Sequence, residues 1–229
     1  MLLNGVQAYC TNIEADEAYY WLFSRNLDWG YFDHPPFVAL SVKAGEIFGH
    51  GSLFTRLGTV FLSAGSVYFG YLALPGHLRN TRLYVLCFAS IIILNVYGFI
   101  VTPDASLLFF TALFFYCYRL YLDDQKFSHV FLLAISIAGL LYSKYQGVLP
   151  VFFTFLSNPK LALKRSAWMV VLIAALFFLP HLWWQQTHGW PTVQYHLFER
   201  GRTEYKIEKT TNYILGQLLI WGPLTTLPA

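Results

Sequence analysis

Charge is what this chain has least of. Charged side chains make up 12% of its 229 residues, against about 25% in an ordinary soluble domain. So thin a charged coat argues against a free globular domain in water. Cysteine is also scarce: Cys10, Cys87 and Cys117 show no metal-ligand spacing. Cys87 and Cys117 lie inside apolar runs and read as plain core residues. The opening MLLNGVQAYC has no basic end and no long apolar stretch, so it does not read as a signal peptide. No internal repeat and no low-complexity linker is visible. The net charge is only +3. The basic residues sit in short loops between apolar runs, which is a membrane-orientation pattern and not a nucleic-acid footprint.

Hydrophobic residues are abundant instead, at 56% of the chain, with a mean hydropathy of +0.47. Aromatics reach 19%, which suits interfacial anchoring as well as packing. The composition predicts an integral membrane protein built from helices, a single membrane domain over 1–229. A crossing needs roughly 20 apolar residues. Runs at 57–75, 83–101, 105–122 and 167–184 read as spans, two shorter ones lie near 130–142 and 145–157, and another starts near 213. The 130–157 pair is interrupted by Ser143-Lys144-Tyr145-Gln146-Gly147. Its arms are short, which suits tilted crossings or a cavity reached partway.

Loop charges set the expected orientation. Arg79 and Arg82, then Arg119 and Lys126, then Lys160, Lys164 and Arg165 fall in alternate loops and mark the cytoplasmic side. Residues 1–56, the Thr102–Asp104 turn, the 143–147 break and the 185–212 loop then share the opposite face. Segment 14–56 reads as a first extracytoplasmic loop with two helices lying along the membrane. One is expected near 17–28, capped by Asp16. The other is expected near 36–49, opened by Pro35-Pro36. Phe37, Leu40, Ala44, Ile47 and Phe48 share one of its faces.

Within that frame a few ionisable residues stand out, because such groups near a membrane are costly and their placement needs a reason. Asp16-Glu17 reads either as helix capping or as a base or metal-holding carboxylate. Asp33-His34-Pro35-Pro36 reads either as a stiff structural turn or as a polar site, since a residue before proline is pushed to extended backbone. Asp104, after Thr102-Pro103, suits a helix first turn, and it also joins the other acids on one face. Lys144 is either a snorkelling lysine or a cation aimed at an anionic ligand. Arg200 and Arg202 carry forks that match phosphate. His34, His188 and His196 make no metal pattern by themselves.

The blocks DEAYYW at 16–21, LDWGYFDHPP at 27–36, TPDA at 102–105, SKYQG at 143–147 and HGWPT at 188–192 occur in an order that resembles a known family. They are similar to bacterial members of the dolichyl-phosphate-mannose–protein mannosyltransferase group, relatives of the lipid A aminoarabinose transferases. These are GT-C glycosyltransferases. The resemblance implies an all-α polytopic membrane helix bundle of GT-C type in the bacterial inner membrane. It implies transfer of a sugar from a polyprenyl-phosphate donor to a lipid, glycan or protein hydroxyl on the extracytoplasmic face. By motif, Asp16 matches the proposed base, Glu17 its partner and Asp104 a second acidic position. Asp33, His34 and Lys144 match the donor-phosphate side, where Arg200 and Arg202 are further candidates. Carboxylates alone suffice for the base's work, so no cofactor is required and a divalent cation stays an open alternative. Family members usually have a span before the acidic pair and more chain after these blocks, so the sequence is expected to be a fragment. The rival readings are a transporter-like binder of polyprenyl lipids and an inactive fragment.

Overall fold

The computed structural model describes residues 1–199 and 206–221. Among the described residues there are helices and no strands. In order they are α1 (Leu2–Cys10), α2 (Ala15–Arg25), α3 (Phe37–Glu46), α4 (Ser52–Ala73), α5 (Thr81–Ser90), α6 (Ile92–Val96), α7 (Pro103–Asp123), α8 (Phe127–Ser143), α9 (Val148–Ser157), α10 (Arg165–Thr187), α11 (Pro191–Gln194) and α12 (Ile207–Trp221).

The centre of the bundle is α7, packed between α4 and α8, with α10 on the far side of α8. Its core is a seam of Phe110, Phe114, Cys117 and Tyr121 from α7, met by Val130, Leu133, Ala134 and Leu140 from α8 and by Val170 and Ala174 from α10. The i, i+4, i+7 and i+11 spacing of the α7 residues puts them on one stripe. Helices α7 and α10 are long and apolar enough to cross a membrane, yet only 33% and 22% of their apolar windows are buried. The core helix of a water-soluble protein would be mostly buried. On α10, Leu172, Leu176, Leu179 and Trp183 repeat at helical spacing and remain exposed. That is the surface of a membrane helix bundle, whose outer faces meet lipid and not water. This matches the expected all-α membrane class.

Basic loops gather at one end of the bundle. Arg79 donates to the carbonyls of Leu72 and Leu74 (2.7 and 3.0 Å), and Arg119 of α7 donates to Leu74 O as well. Asp104 lies in the first turn of α7, at its opposite end.

The short helices at that opposite end frame the site. The first amphipathic helix starts earlier than expected: Ala15 is its first residue, and Glu14, not Asp16, stands at the cap. Glu17 reaches back to accept the Glu14 N–H at 3.0 Å, a reciprocal arrangement that needs an acid three residues into the helix. The second runs over Phe37–Glu46 and stops short of 49. Glu46 closes the pair of helices by accepting from Trp21 Nε1 (2.7 Å) and Arg25 Nη2 (3.0 Å). Helix α3 then lies almost backbone to backbone on α4. A Cβ on Gly58 would sit 2.3 Å from the Ser41 carbonyl oxygen, so glycine sets that crossing.

Two expectations need correction. The run 83–101 is not one span: it breaks at Ile91 into α5 and α6, then continues without helix to Thr102. Asn95 explains the break, because its Nδ2 donates to the carbonyls of Ala89 and Ile91, both at 3.0 Å. The Ala89 carbonyl lies in the last turn of α5, where helix carbonyls lack intrahelical partners, and the Ile91 carbonyl also accepts from the Leu94 N–H. The first ten residues, for which no helix was predicted, form α1. By contrast, the expected interruption at 143–147 is present. There α8 ends at Ser143, Lys144 is extended, and a single 3-10 turn (Tyr145–Gly147) leads into α9.

Candidate functional site

The site is built on the end of the bundle away from the basic loops. Its firmest anchor is the pair Glu17–Arg56. Both side chains are buried, at 0% and 1% exposure. Arg56 Nε donates to Glu17 Oε1 at 2.7 Å, and its other nitrogens reach Glu17 Oε2, the carbonyls of Ala8, Thr11 and Asn12, and Thr11 Oγ1. The Val101 N–H also donates to Glu17 Oε1, at 2.8 Å. One ion pair thus joins α1, the turn before α2, α4 and the entry to α7. Burial alone would raise the Glu17 carboxyl, but Arg56 and the Glu14 and Val101 amides outweigh it and hold it below the usual range.

Asp16, the neighbour of Glu17, is exposed in the first turn of α2. One helical turn further, Tyr19 donates its hydroxyl to Asp33 Oδ1 at 3.1 Å. The Asp33–Pro36 corner therefore docks on the face of α2 that carries Asp16. His34 is buried beside Tyr20, and its Nε2 lies 3.6 Å from Asp33 Oδ2. Burial lowers the His34 pKa. Asp33 opposes that, Lys144 and His196 add to it, and Asp104 opposes it more weakly. Those groups surround one imidazole although they come from four separate parts of the chain.

Lys144 meets Asp104 directly. Its Nζ donates to Asp104 Oδ1 at 2.8 Å, with 20% and 50% of the two side chains exposed. Pro103 supplies the first residue of α7 and places Asp104 in its first turn, where the helix dipole favours an acid. Lys144 is extended because α8 has ended one residue earlier. His196 then closes the ring: its Nε2–H donates to the Asp33 carbonyl at 3.0 Å.

Two apolar grooves open near this end of the bundle, and one of them reaches the polar centre. One, of about 430 Å³, has Asp104 in its lining with Ser63, Ile93, Leu94, Tyr97 and Leu108. The other, of about 580 Å³, runs between Trp29, Phe37, Leu40, Phe110, Tyr142 and Phe177. Both suit the tail of a lipid more than a free sugar.

The structure therefore brings Asp33, His34, Asp104 and Lys144 together, and leaves Asp16 exposed one helical turn before Tyr19, which reaches Asp33. It puts Glu17 in the interior, without solvent contact. Arg200 and Arg202 lie outside the described residues. Among the described residues no group of three or more His, Cys, Asp and Glu side chains is placed to hold a metal ion. Arg56, His196, Tyr145 and His181 were not singled out as site residues from the sequence. Arg56 had left a signal, a charge directly before an apolar run. Tyr145 sat unremarked within the SKYQG block.

The family model for dolichyl-phosphate-mannose-protein mannosyltransferase matches residues 33–184. Lipid A galacturonosyltransferase RgtD of Rhizobium johnstonii is 24% identical over 245 aligned positions, which cover 93% of this chain and 47% of the relative. The chain spans about half the length of that curated relative. No solved structure matches.

Proposed function

We infer the function from one premise: the chain belongs to the dolichyl-phosphate-mannose-protein mannosyltransferase family. It is a membrane glycosyltransferase of the GT-C type. On our reading it works at the extracytoplasmic face and moves a hexose-type sugar from a polyprenyl phosphate to a lipid-borne hydroxyl. The orientation rests on Arg79 and Arg119 lying at the far end of the bundle from Asp104. The observation that carries the reaction is the Lys144–Asp104 contact beside Asp33–His34, with Asp104 in the lining of an apolar groove.

The chemistry assigns roles. A sugar hydroxyl is a weak nucleophile, so a carboxylate must take its proton as it attacks. Asp16 is exposed and free for that work. The acceptor oxygen bonds to the anomeric carbon while the bond from that carbon to the phosphate oxygen breaks. The proton passes to Asp16, and the electron pair leaves with the polyprenyl phosphate. The departing phosphate needs cations and N–H donors, which Lys144 and His34 supply. Asp104 orients Lys144, and Glu17, locked to Arg56, holds the start of α2 in register. The relative's named acceptor, lipid A, makes a lipid acceptor the first to test, with galacturonic acid and mannose as donor sugars.

The test is Asp16→Asn in the full chain, assayed in lipid nanodiscs for transfer from a polyprenyl-phosphate sugar to lipid A. We expect turnover to fall about 10²- to 10⁴-fold with donor binding intact. Full turnover in the mutant would remove Asp16 as the base. Donor binding without turnover by the unmutated chain would favour the transporter-like reading, which the broken helix at Lys144 otherwise supports.

A further inference from the structure

A circuit of buried and half-buried hydrogen bonds lies beside the site. It starts and ends on the loop that carries Asp33 and His34. His181 has no solvent exposure. Its Nδ1 lies 2.6 Å from the Trp29 carbonyl, which only accepts, so Nδ1 carries the hydrogen. Nε2 of the neutral ring is then an acceptor, and the Tyr145 hydroxyl donates to it at 2.8 Å. Tyr145 in turn accepts from Gln185 Nε2 at 2.8 Å. The second hydrogen of that amide goes to Thr192 Oγ1 at 2.6 Å, and Thr192 donates to the Tyr31 carbonyl at 2.9 Å. Gln185 Nε2 also lies 3.5 Å from His181 Nε2, so the amide, the imidazole and the Tyr145 hydroxyl form one compact cluster. The circuit's two ends are backbone carbonyls two residues apart.

The position of this circuit gives it a use. Tyr145 directly follows Lys144, and Tyr31 stands two residues before Asp33. His196, whose ring meets Tyr145 edge-on at 6.1 Å, holds the Asp33 carbonyl. We propose that Tyr145 and His181 are positioning residues that clamp the Asp33–His34 loop to the helix break, and so fix the spacing of His34 and Lys144 around the donor phosphate. This rests on the glycosyltransferase reading. Neither residue touches the reacting atoms. The loop 29–34 and the break at 144–147 share no backbone ladder, and the side-chain circuit takes its place. The hydrogen bonds of Gln185 run through its Nε2, and its buried Oε1 has no partner, so the amide's two N–H groups carry the link.

The experiment compares the full chain with Tyr145→Phe, His181→Asn and the double variant in nanodiscs. Asn at 181 retains a donor near Nδ1 and loses the Nε2 acceptor. Three readings are taken: KM for donor and for acceptor, binding of undecaprenyl phosphate, and amide hydrogen exchange. We expect Tyr145→Phe to raise donor KM about tenfold, the loss of roughly one to two such contacts, with acceptor KM unchanged. Exchange should speed up in 29–34 and 144–147 together and not in α4 or α7. The double variant should be no worse than the worse single one, because both cut the same circuit. Unchanged donor KM in a folded Tyr145→Phe, or faster exchange in only one of the two segments, would overturn the clamp. If the unmutated chain neither transfers sugar nor binds undecaprenyl phosphate, the functional reading fails, and the exchange pattern still decides whether the clamp exists.

Discussion

Lys144 and Asp104 lie forty residues apart in the chain and 2.8 Å apart in space. Each stands where a helix changes: Asp104 in the first turn of α7, Lys144 just after the last residue of α8. The pair is partly open to solvent, so it adds little to stability, about 1 kcal/mol or less. Its value lies in aiming a cation. Lys144→Ala should therefore leave the thermal unfolding midpoint almost unchanged while donor KM rises about tenfold or more, a loss of about 1.4 kcal/mol or more of donor interaction. Asp104→Asn should give a smaller rise in the same constant. Steady-state kinetics with varied donor, alongside thermal unfolding, separates the two effects.

Glu17 and Arg56 should behave in the opposite way. Removing one partner leaves a buried charge uncompensated, at a cost of about 3–5 kcal/mol. Arg56→Met and Glu17→Gln should each lower thermal stability sharply. The double variant Glu17→Gln/Arg56→Met should be less damaging than the sum. The pair also predicts an acid limb. The Glu17 carboxyl titrates lower in the folded chain than in the unfolded one. Its contribution is therefore present above the unfolded value of about 4.3 and is lost as pH falls through the lower folded value. Denaturant unfolding between about pH 3 and 5 should show that loss, and Glu17→Gln should not.

His34 predicts a second, higher window. Burial depresses its folded pKa below the ordinary value of about 6.5. Between the two values the unfolded chain binds a proton that the folded chain does not. Stability therefore rises with pH through that window and falls as pH drops below about 6.5. Unfolding midpoints measured from about pH 5 to 7.5 should show the slope, and His34→Asn should flatten it.

Gly30 gives a steric prediction. A Cβ there would lie 2.4 Å from Trp184 Cε3, deep in the contact between the first loop and α10. The indole is buried and has no room to retreat. Gly30→Ala should cost about 1–3 kcal/mol by overpacking. Trp184→Leu in the same chain should recover part of that loss, which chemical denaturation of the single and double variants would reveal.

Much of this architecture was legible from residue order. The interruption at 143–147 was visible because five polar or small residues divide an apolar run, and Pro103 marked the start of α7. The approach of Asp104 to Lys144 followed from topology, since alternating spans put both on one face. The break at Ile91 was not legible. An asparagine inside an apolar run gives no sign of which carbonyls its side chain will take. Nor was the partner of Glu17, because Arg56 is 39 residues away in a helix that reads as a membrane span. The cap at Glu14 was misassigned to Asp16 because glutamate is a weak capping type, and the reciprocal bond from Glu17 decided the boundary.

That break at Ile91 has a mechanical consequence. Ile93, Leu94 and Tyr97 form one wall of the groove beside Asp104, and they belong to α6 and its exit, not to a continuous helix. Two amide hydrogen bonds from Asn95, about 1 kcal/mol each, tie this five-residue piece to the end of α5. The opposite wall belongs to α7, which is built into the core seam. The groove thus has one stiff jaw and one lightly latched jaw.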